Sequence, residues 1–190
     1  MRVISGSAKG RILAGFSGRD IRPTSDRIRE AIFSILYSRL GSLAGKKVLD
    51  IFAGTGAMGI EALSRGAAEA FFVENNRQAI ALIRGNLAHC RLESKARILA
   101  EEAAAALFRL SGARFDLVFI DPPYGKGLVP LVLTMIDGKK LLAEDGVICA
   151  EAGKADPVPE TVGPLIRLKM SPYASTVIHF FGHAPEKDWG

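Results

Sequence analysis

Hydrophobic residues follow two different spacings along most of this chain. Short continuous apolar runs, typical of strands buried on both faces, alternate with segments whose apolar residues lie three and four positions apart, typical of helices. The runs predict five strands, at residues 47–52, 70–74, 96–99, 115–120 and 146–151. The helical spacing predicts helices at residues 26–40, 60–66, 77–87, 103–110 and 128–136. This alternation favours a parallel, doubly wound α/β sheet.

The two ends of the chain depart from this alternation. Residues 2–4 and 11–13 are short apolar pieces around a loop rich in serine and glycine, which predicts a hairpin with a flexible loop. The segment Pro23-Thr24-Ser25 then predicts the cap of the first helix, which ends near Gly41. Near the other end, a proline-containing loop precedes a predicted hairpin of two antiparallel strands, at residues 166–170 and 176–181.

The length and composition predict a single globular domain. The chain has 190 residues, of which 48% are hydrophobic and 24% charged, enough for one sizeable core. We expect one domain over residues 1–190, with an N-terminal hairpin arm at 1–22 and a catalytic core at 23–190.

Neither secretion nor membrane insertion is expected from the sequence. It starts without an apolar leader, and no apolar run approaches the roughly 18 residues that a membrane helix needs. Cys90 and Cys149 are the only cysteines, and neither has a Cys or His neighbour at metal-binding spacing. This pattern fits a reducing compartment, so we expect a cytoplasmic protein.

The positive charge is concentrated near the start of the chain. The chain has 25 basic and 20 acidic residues, a net charge of +5. Residues 1–30 hold seven basic and three acidic residues, which is +4 of this total. Such a cluster suits the phosphates of a nucleic acid, although a solvated face is an equally good interpretation of charge alone.

A glycine-rich loop follows the first predicted strand of the core. Gly54, Gly56 and Gly59 stand between that strand and the next helix, where glycines let a ligand approach the backbone and the first helical amides offer hydrogen bonds. Glu74 ends the second predicted strand, 20 positions after Gly54. An acid at this spacing typically accepts the hydroxyls of a ribose, so we favour that role over a merely solvated glutamate.

The segment Asp121-Pro122-Pro123-Tyr124 directly follows the predicted strand at 115–120. It offers a carboxylate, prolyl carbonyls held by restricted φ angles, and an aromatic face, at the sheet edge where α/β proteins bind ligands. This set suits a flat ring that bears an amine. The same residues would also serve as a rigid strand exit, and only the context decides between the two interpretations.

Two classes of enzyme use a glycine loop of this kind. A nicotinamide dehydrogenase would use the loop and Glu74, but it leaves Asp121-Pro122-Pro123-Tyr124 without a role. A methyltransferase that modifies an amino group uses all three elements, so we favour it.

The motifs resemble a known family of enzymes. Residues 48–56 with Asp50, then Glu74, then Asp-Pro-Pro-Tyr are similar to the S-adenosylmethionine-dependent amino-methyltransferases. The segment at 22–31, the hairpin-like start and residues 173–176 resemble, more specifically, the small-subunit (16S) ribosomal RNA guanine-N2 methyltransferases. The likeness spans nearly the whole chain.

The resemblance implies a Rossmann-like methyltransferase fold and a set of site residues. The glycine loop and Asp50 would hold the methionine part of S-adenosylmethionine, Glu74 its ribose, and the start of the helix after the third strand its adenine. At that helix start the family usually has Asp-Ala, and this chain has Glu102-Ala103. The implied cofactor contacts are Asp50, Phe52, Ala53, Gly54, Thr55, Gly56, Glu74, Asn75, Glu102, Ala103 and Asp121.

The resemblance also implies how the target base is held. Asp121 and the Pro122 carbonyl would accept the two hydrogens of a guanine amine, Pro123 would keep the segment rigid, and Tyr124 would stack on the base. No metal is expected, because His89, His179 and His183 are scattered along the chain. The partner would be ribosomal RNA, in a small subunit or an assembly intermediate, bound by a monomer. The expected RNA contacts are Arg2, Lys9, Arg11, Arg22 and Arg27.

Other functions fit parts of the same pattern. Methylation of an adenine N6 amine in RNA or DNA suits the Asp-Pro-Pro-Tyr motif, and an RNA-binding module without activity would suit the charge. The protein-glutamine methyltransferases, which the chain also resembles, usually carry Asn at the position of Asp121.

Overall fold

The computed structural model describes residues 1–16 and 26–184, so Arg22 and the predicted cap at Pro23-Thr24-Ser25 lie outside the described residues. Helices and strands alternate along most of the described chain, as the sequence predicts. The helices are α1 (Asp26–Leu40), α2 (Ala57–Ser64), α3 (Arg77–Cys90), α4 (Ala103–Arg109) and α5 (Leu128–Gly138). The strands are β1 (Lys47–Ile51), β2 (Glu69–Val73), β3 (Ala96–Leu99), β4 (Phe115–Ile120), β5 (Leu142–Gly153), β6 (Thr161–Val162), β7 (Leu165–Pro172) and β8 (Thr176–His183).

The eight strands form one sheet in the order β3-β2-β1-β4-β5-β8-β7-β6. The first five strands pair in parallel, and β8, β7 and β6 add antiparallel pairs beyond β5. This arrangement confirms the predicted doubly wound sheet and the predicted terminal hairpin. The strand order reverses between β1 and β4, and the crevice at such a reversal is where α/β sheets bind ligands.

Helices cover both faces of the sheet. On one face α1, α2 and α3 pack on alternate strand residues such as Val48 and Phe119. On the other face α4 and α5 pack on the residues between them, such as Leu49 and Val118. Because both faces are buried, the parallel strands are apolar without a polar alternation, and this is why they stand out in the sequence.

Several strand boundaries differ from the prediction by one or two residues, and two larger differences have a physical reason. β5 begins at Leu142 and not at residue 146, and its pairing with β4 shifts register between Phe115 and Leu117. The polar residues 144 and 145 interrupt the apolar run at this irregularity, so the sequence pattern missed the start of the strand. β6 lies within the predicted proline-containing loop, because two residues that pair with β7 are too few to leave a periodic pattern.

The N-terminal arm, defined here as residues 1–16, forms the predicted hairpin. Arg2 pairs with Ile12 in antiparallel fashion, and the amide of Val3 donates to the Arg11 carbonyl at 2.9 Å. The prediction of a flexible loop is wrong. The Ser7 amide donates to the Ser64 carbonyl at 2.8 Å, and the Ala8 amide donates to the Ser64 hydroxyl at 2.9 Å, so α2 holds the loop in place.

A buried carboxylate attaches the arm to the core. Glu61 of α2 is 1% exposed and accepts hydrogen bonds from the amides of Ile4 and Ser5 at 2.8 and 3.0 Å. Arg65 pairs with the same carboxylate at 2.7 Å, and the Arg29 Nε lies 3.9 Å from it. A buried charge is tolerated when it is paired and hydrogen-bonded, so docking of the arm satisfies Glu61.

Gly6 allows the arm to approach α2 closely. Its φ angle is +85°, and a Cβ there would lie 1.8 Å from the Ser64 carbonyl oxygen. Gly10 has a φ angle of +84°, but a Cβ there would meet nothing within 4 Å. The two glycines therefore share the same backbone conformation and differ in the space around them.

We predict that Gly6→Ala destabilises the fold much more than Gly10→Ala does. Gly10→Ala should cost about 1 kcal/mol for a side chain at positive φ. Gly6→Ala should cost roughly 3 kcal/mol, because the arm must also leave α2. Urea unfolding measures both values, and cleavage of residues 1–16 by limited proteolysis should increase only in Gly6→Ala. Equal losses in the two variants would contradict the docking of the arm.

Candidate active site

The register of the sheet brings four strand ends together. Ile51 of β1 pairs with Val73 of β2 and with Ile120 of β4, and Ile120 pairs with Ala150 of β5. The next residue of each strand therefore lies at the same carboxyl edge, in the order Glu74, Phe52, Asp121, Glu151. Paired strands lie about 4.8 Å apart, so each of these residues neighbours the next.

The glycine loop turns sharply from β1 into α2. Phe52, Gly54 and Gly56 have φ angles of +61°, +56° and +77°, and Gly56 is the N-cap of α2. Positive φ is rare for a bulky residue such as Phe52, which fits a constrained site. A Cβ on Gly59 would lie 2.4 Å from the Phe72 ring, so the third glycine lets α2 pack closely on β2.

Asp50 lies beneath this loop, within β1. It is 3% exposed, and its Oδ2 accepts a hydrogen bond from the Gly59 amide at 2.9 Å. Burial raises its pKa from 3.8 to about 7, against the opposing effect of the Gly59 bond and with a further contribution from Glu74. Asp50 therefore titrates near neutral pH, and a cationic group bound beside it would favour its charged form.

Glu74 contacts the glycine loop, as its spacing in the sequence suggested. Its Oε2 accepts from the Gly54 amide at 2.9 Å, and its Oε1 accepts from the amides of Asn75 and Asn76, both at 2.9 Å. Three backbone donors thus orient the carboxylate at the loop. A carboxylate has about four acceptor positions, so Glu74 keeps capacity for a ligand hydroxyl.

The ends of β2 and β3 are joined by two of the predicted site residues. The Asn75 side-chain amide donates to Glu102 Oε1 at 2.6 Å. Glu102 is the N-cap residue of α4, Ala103 is its first residue, and Glu102 is exposed. Asn76 caps α3 by accepting from the amides of Gln78 and Ala79.

The Asp-Pro-Pro-Tyr segment leaves β4 at the centre of the edge. Asp121 reaches solvent, yet the protein atoms crowded around its carboxyl group raise its pKa well above the usual range, and Glu151 and Asp50 raise it further. Pro122 is buried, whereas Pro123 and Tyr124 are exposed. A narrow, mainly apolar pocket beside Asp121 is lined by Ile32, Met58, Phe119, Cys149, Glu151 and Ile178.

Two acids that sequence reasoning missed hold this segment. The Tyr124 hydroxyl donates to Glu151 Oε1 at 2.6 Å. Asp156 accepts from the amides of Gly125 and Gly153, at 2.9 and 3.0 Å. Glu151 could have been found, because it ends a predicted strand as Glu74 does. Asp156 lies in a loop without any sequence signal.

Asn86 of α3 is a further residue that the sequence did not indicate. Its side chain accepts from the Ala14 amide at 2.8 Å and donates to the Ala14 carbonyl at 3.0 Å. The same amide group donates to the Thr55 carbonyl at 2.9 Å. Asn86 therefore connects the N-terminal arm to the glycine loop.

The basic residues expected at RNA differ in their surroundings. Arg2, Lys9 and Arg27 are exposed, and Arg2 lies 4.0 Å from Asp26. Arg11 is half-buried, and its guanidinium donates to the His89 carbonyl, so part of its role is to hold the arm on α3. Arg2, Lys9 and Arg11 lie in the arm, and Arg27 lies in α1.

Two kinds of feature are absent from the part of the chain that the structure describes: a metal-ligand set and a membrane-spanning helix. Residues 1–16 and 26–184 contain no group of three or more His, Cys, Asp or Glu side chains placed to hold a metal ion. Within the same ranges, no helix combines the length and the apolar character that crossing a membrane requires.

The parallel sheet with its reversal at β1 and β4, and the antiparallel strands beyond β5, define a Rossmann-like fold of the methyltransferase type. A solved Escherichia coli structure, "Putative methyltransferase yhhF", has this fold with a TM-score of 0.84 and 30% identity, over 96% of this chain and 97% of that chain. A Thermus hypothetical protein matches with a TM-score of 0.81 and 27% identity, over 97% and 99% of the two chains.

The family follows from the sequence match. The family described as "Conserved hypothetical protein 95" matches residues 1–182, and the chain belongs to it. "Putative rRNA methyltransferase YlbH" of Bacillus subtilis is 38% identical over 95% of this chain and 98% of the relative. "Ribosomal RNA small subunit methyltransferase D" of Escherichia coli is 34% identical over 80% and 74%. The resemblance noted from the motifs is thus confirmed at the level of the family.

We predict that Asp50→Asn stabilises the fold in a pH-dependent way. Asparagine keeps an acceptor for the Gly59 amide but removes a carboxyl group whose folded pKa is about 7 and whose usual value is 3.8. Ionisation of Asp50 therefore costs stability progressively as pH rises from about 4 to 7, by an upper limit of about 4 kcal/mol. The variant should gain most at pH 8 and less than half as much at pH 5, measured by urea unfolding. A gain that does not depend on pH would contradict the raised pKa.

Proposed function

We propose that this protein transfers a methyl group from S-adenosylmethionine to the exocyclic N2 amine of a guanine in small-subunit (16S) ribosomal RNA. The observation that carries the proposal is the shared sheet edge. There the glycine loop, Asp50 and Glu74 stand beside Asp121-Pro122-Pro123-Tyr124 at the strand reversal. A nucleoside cofactor and an amine-bearing base would meet at that edge.

The residues present fit S-adenosylmethionine. Glu74 is held by three backbone amides in a position to accept ribose hydroxyls, and the loop of Phe52, Ala53, Gly54, Thr55 and Gly56 lets a ligand approach the backbone. Asp50 provides a buried carboxyl group next to which the cationic methionine part would be favoured. When bound, the cofactor supplies an activated methyl group on a positively charged sulfur.

The adenine end of the cofactor would meet the start of α4. Asn75 and Glu102 form a hydrogen-bonded pair there, next to Ala103. Glu102 stands where the family usually has an aspartate, and its longer side chain reaches Asn75. The pair would contact the adenine edge together.

The target amine needs positioning more than activation by a metal. Its lone pair is delocalised into the guanine ring, so the nitrogen must be held in line with the methyl group. Asp121 and the Pro122 carbonyl would accept its two hydrogens while Tyr124 stacks on the base. Positioning of this kind contributes roughly 7 to 11 kcal/mol. The raised pKa of Asp121 also suits it to take up the proton that the amine loses.

The relatives and the charge support ribosomal RNA as the partner. The Escherichia coli relative is named for the small ribosomal subunit. In this chain the exposed Arg2, Lys9 and Arg27 would contact phosphates beside the site, with Arg11 and Arg22. The protein would act as a cytoplasmic monomer on the subunit or on an assembly intermediate, where the target base can be swung out of its stack.

Transfer of labelled methyl groups tests the proposal. The protein is incubated with labelled S-adenosylmethionine and with free RNA, small subunits or assembly intermediates, and the nucleosides are then analysed. Labelled N2-methylguanosine is expected, and labelled N6-methyladenosine would instead support the adenine alternative. Calorimetry should detect binding of S-adenosylmethionine. Tight binding of a nicotinamide dinucleotide in its place would overturn the methyltransferase assignment.

We predict that Asp121→Ala slows methyl transfer about 100-fold or more while cofactor affinity changes little, because the main proposed role of the carboxylate is to orient the amine, and the other cofactor contacts remain. Single-turnover rates and calorimetry measure the two effects. Asp116→Ala is the matched control: it removes a carboxylate of the same strand that bonds the Lys47 amide at the opposite edge. A rate for Asp121→Ala within a few-fold of the parent would refute this role.

We predict that Lys9→Ala combined with Arg27→Ala weakens RNA binding and reduces its salt dependence. Each lost phosphate contact should lower the log-log slope by about 0.7 to 0.9. Binding is measured from low to high salt, with Lys95→Ala as a control on the exposed 3-10 turn before β3. An unchanged slope in the double variant would mean that the RNA docks elsewhere.

A further inference from the structure

The aromatic ring proposed to stack on the base is attached to the neighbouring strand. Tyr124 is 46% exposed, and its hydroxyl donates to Glu151 at 2.6 Å. Glu151 belongs to β5 and is only 9% exposed. A short bond to a carboxylate is stronger than one between neutral groups, so it holds the end of the side chain and restricts how far the ring can swing about the Cα–Cβ bond.

A second carboxylate fixes the backbone after Tyr124 independently. Asp156 bridges the amides of Gly125 and Gly153 and so ties the Asp-Pro-Pro-Tyr segment to the end of β5. Pro122 and Pro123 restrict the backbone before it. The main chain is thus held without Glu151, whose contact is with the side chain. Glu151 therefore holds the side chain of Tyr124, and Asp156 holds the main chain that follows it.

Glu151 also neighbours Asp121. Ile120 pairs with Ala150, so the two acids are the next residues of adjacent parallel strands. Phe119 and Cys149, two positions earlier, both pack on the face that α1 covers, so the side chains of Asp121 and Glu151 point to that same face. Both acids line the narrow pocket there.

We propose that Glu151 is a positioning residue of the methyl-transfer site, which holds the Tyr124 ring against the target base and keeps a negative charge beside Asp121. This inference rests on the proposed function. Glu151 touches neither the transferred methyl group nor the amine. It acts through Tyr124 by a hydrogen bond and through Asp121 by charge.

The effect of the Glu151 charge on Asp121 depends on the titratable groups around these two acids. Among the described residues, Asp50 of β1 and Cys149 of β5 face Asp121 and Glu151, and Tyr173 before β8 lies near Cys149. From the covering helices, α1 and α2 contribute the apolar Ile32 and Met58 to the pocket. The surroundings are mainly apolar, so the charge of Glu151 is screened little. This charge raises the pKa of Asp121. Removal of this charge should lower that pKa, so Asp121 should stay ionised to lower pH.

The hydrogen bond is tested by a double-mutant cycle of Glu151→Ala and Tyr124→Phe. At a pH where Asp121 is fully ionised, each variant should lower the single-turnover rate about 10- to 100-fold, with cofactor affinity within about twofold of the parent. The double variant should be no slower than the slower single variant, because both changes break one contact. Glu144→Ala, at the opposite end of β5, is the matched control and should leave the rate unchanged.

The charge is tested with Glu151→Gln, which keeps an acceptor for the Tyr124 hydroxyl. The acidic limb of its pH–rate profile should move to lower pH, while its plateau rate should stay within a few-fold of the parent. The carboxyl titration of Asp121, followed by carbon NMR in the protein without RNA, should shift in the same direction. This second measurement does not depend on activity.

The outcomes separate the two proposals. If the parent protein transfers no methyl group to RNA, the proposed function fails, and the NMR titration still tests the link between Glu151 and Asp121. If the parent is active but the rate losses of Glu151→Ala and Tyr124→Phe multiply in the double variant, Glu151 does not hold Tyr124. If Glu151→Gln leaves the Asp121 titration unchanged, the electrostatic role is overturned.

Discussion

Burial of neighbouring carboxyl groups is the constraint on which this site depends. Asp50, Asp121 and Glu151 end or nearly end neighbouring strands and point to the same face of the sheet. Burial raises the pKa of Asp50, with a further contribution from Glu74, and burial together with the charges of Glu151 and Asp50 raises the pKa of Asp121. Burying these carboxyl groups costs folding stability, because buried charges are unfavourable unless they are paired or hydrogen-bonded. A ligand with positive charge or with hydrogen-bond donors would reduce this cost.

The N-terminal arm is joined to the same region through polar residues of two helices. Glu61 of α2 binds the arm's amides, and Asn86 of α3 bonds both Ala14 and the Thr55 carbonyl of the glycine loop. The arm carries exposed basic residues, and the glycine loop is proposed to hold the cofactor. Both segments are therefore attached to the same pair of helices, α2 and α3. The RNA contacts proposed for the arm would therefore have a defined position relative to the proposed cofactor site.

The regular core could be predicted because its physical signals are local. The boundaries of β3 and β4 match the predicted strands, since branched and apolar residues buried on both faces leave a continuous run. The position of Glu74 directly after β2 also agrees with the predicted strand end, because one helix and one strand separate it from Gly54. By contrast, β6 and the start of β5 were missed, because two paired residues or an irregular register leave no period in the sequence.

The sequence by itself determined the doubly wound sheet, the glycine loop, Glu74 and the Asp-Pro-Pro-Tyr segment, since periodicity and motif spacing encode them within short stretches. Only the tertiary structure decided that Glu151 meets Tyr124, that Asp156 bridges two loops, and that the arm's glycine-rich loop is docked and not flexible. These contacts join residues 27 to 59 positions apart or depend on side-chain direction in a loop. They arise from strand register and from the need to satisfy buried polar groups, which no local pattern records.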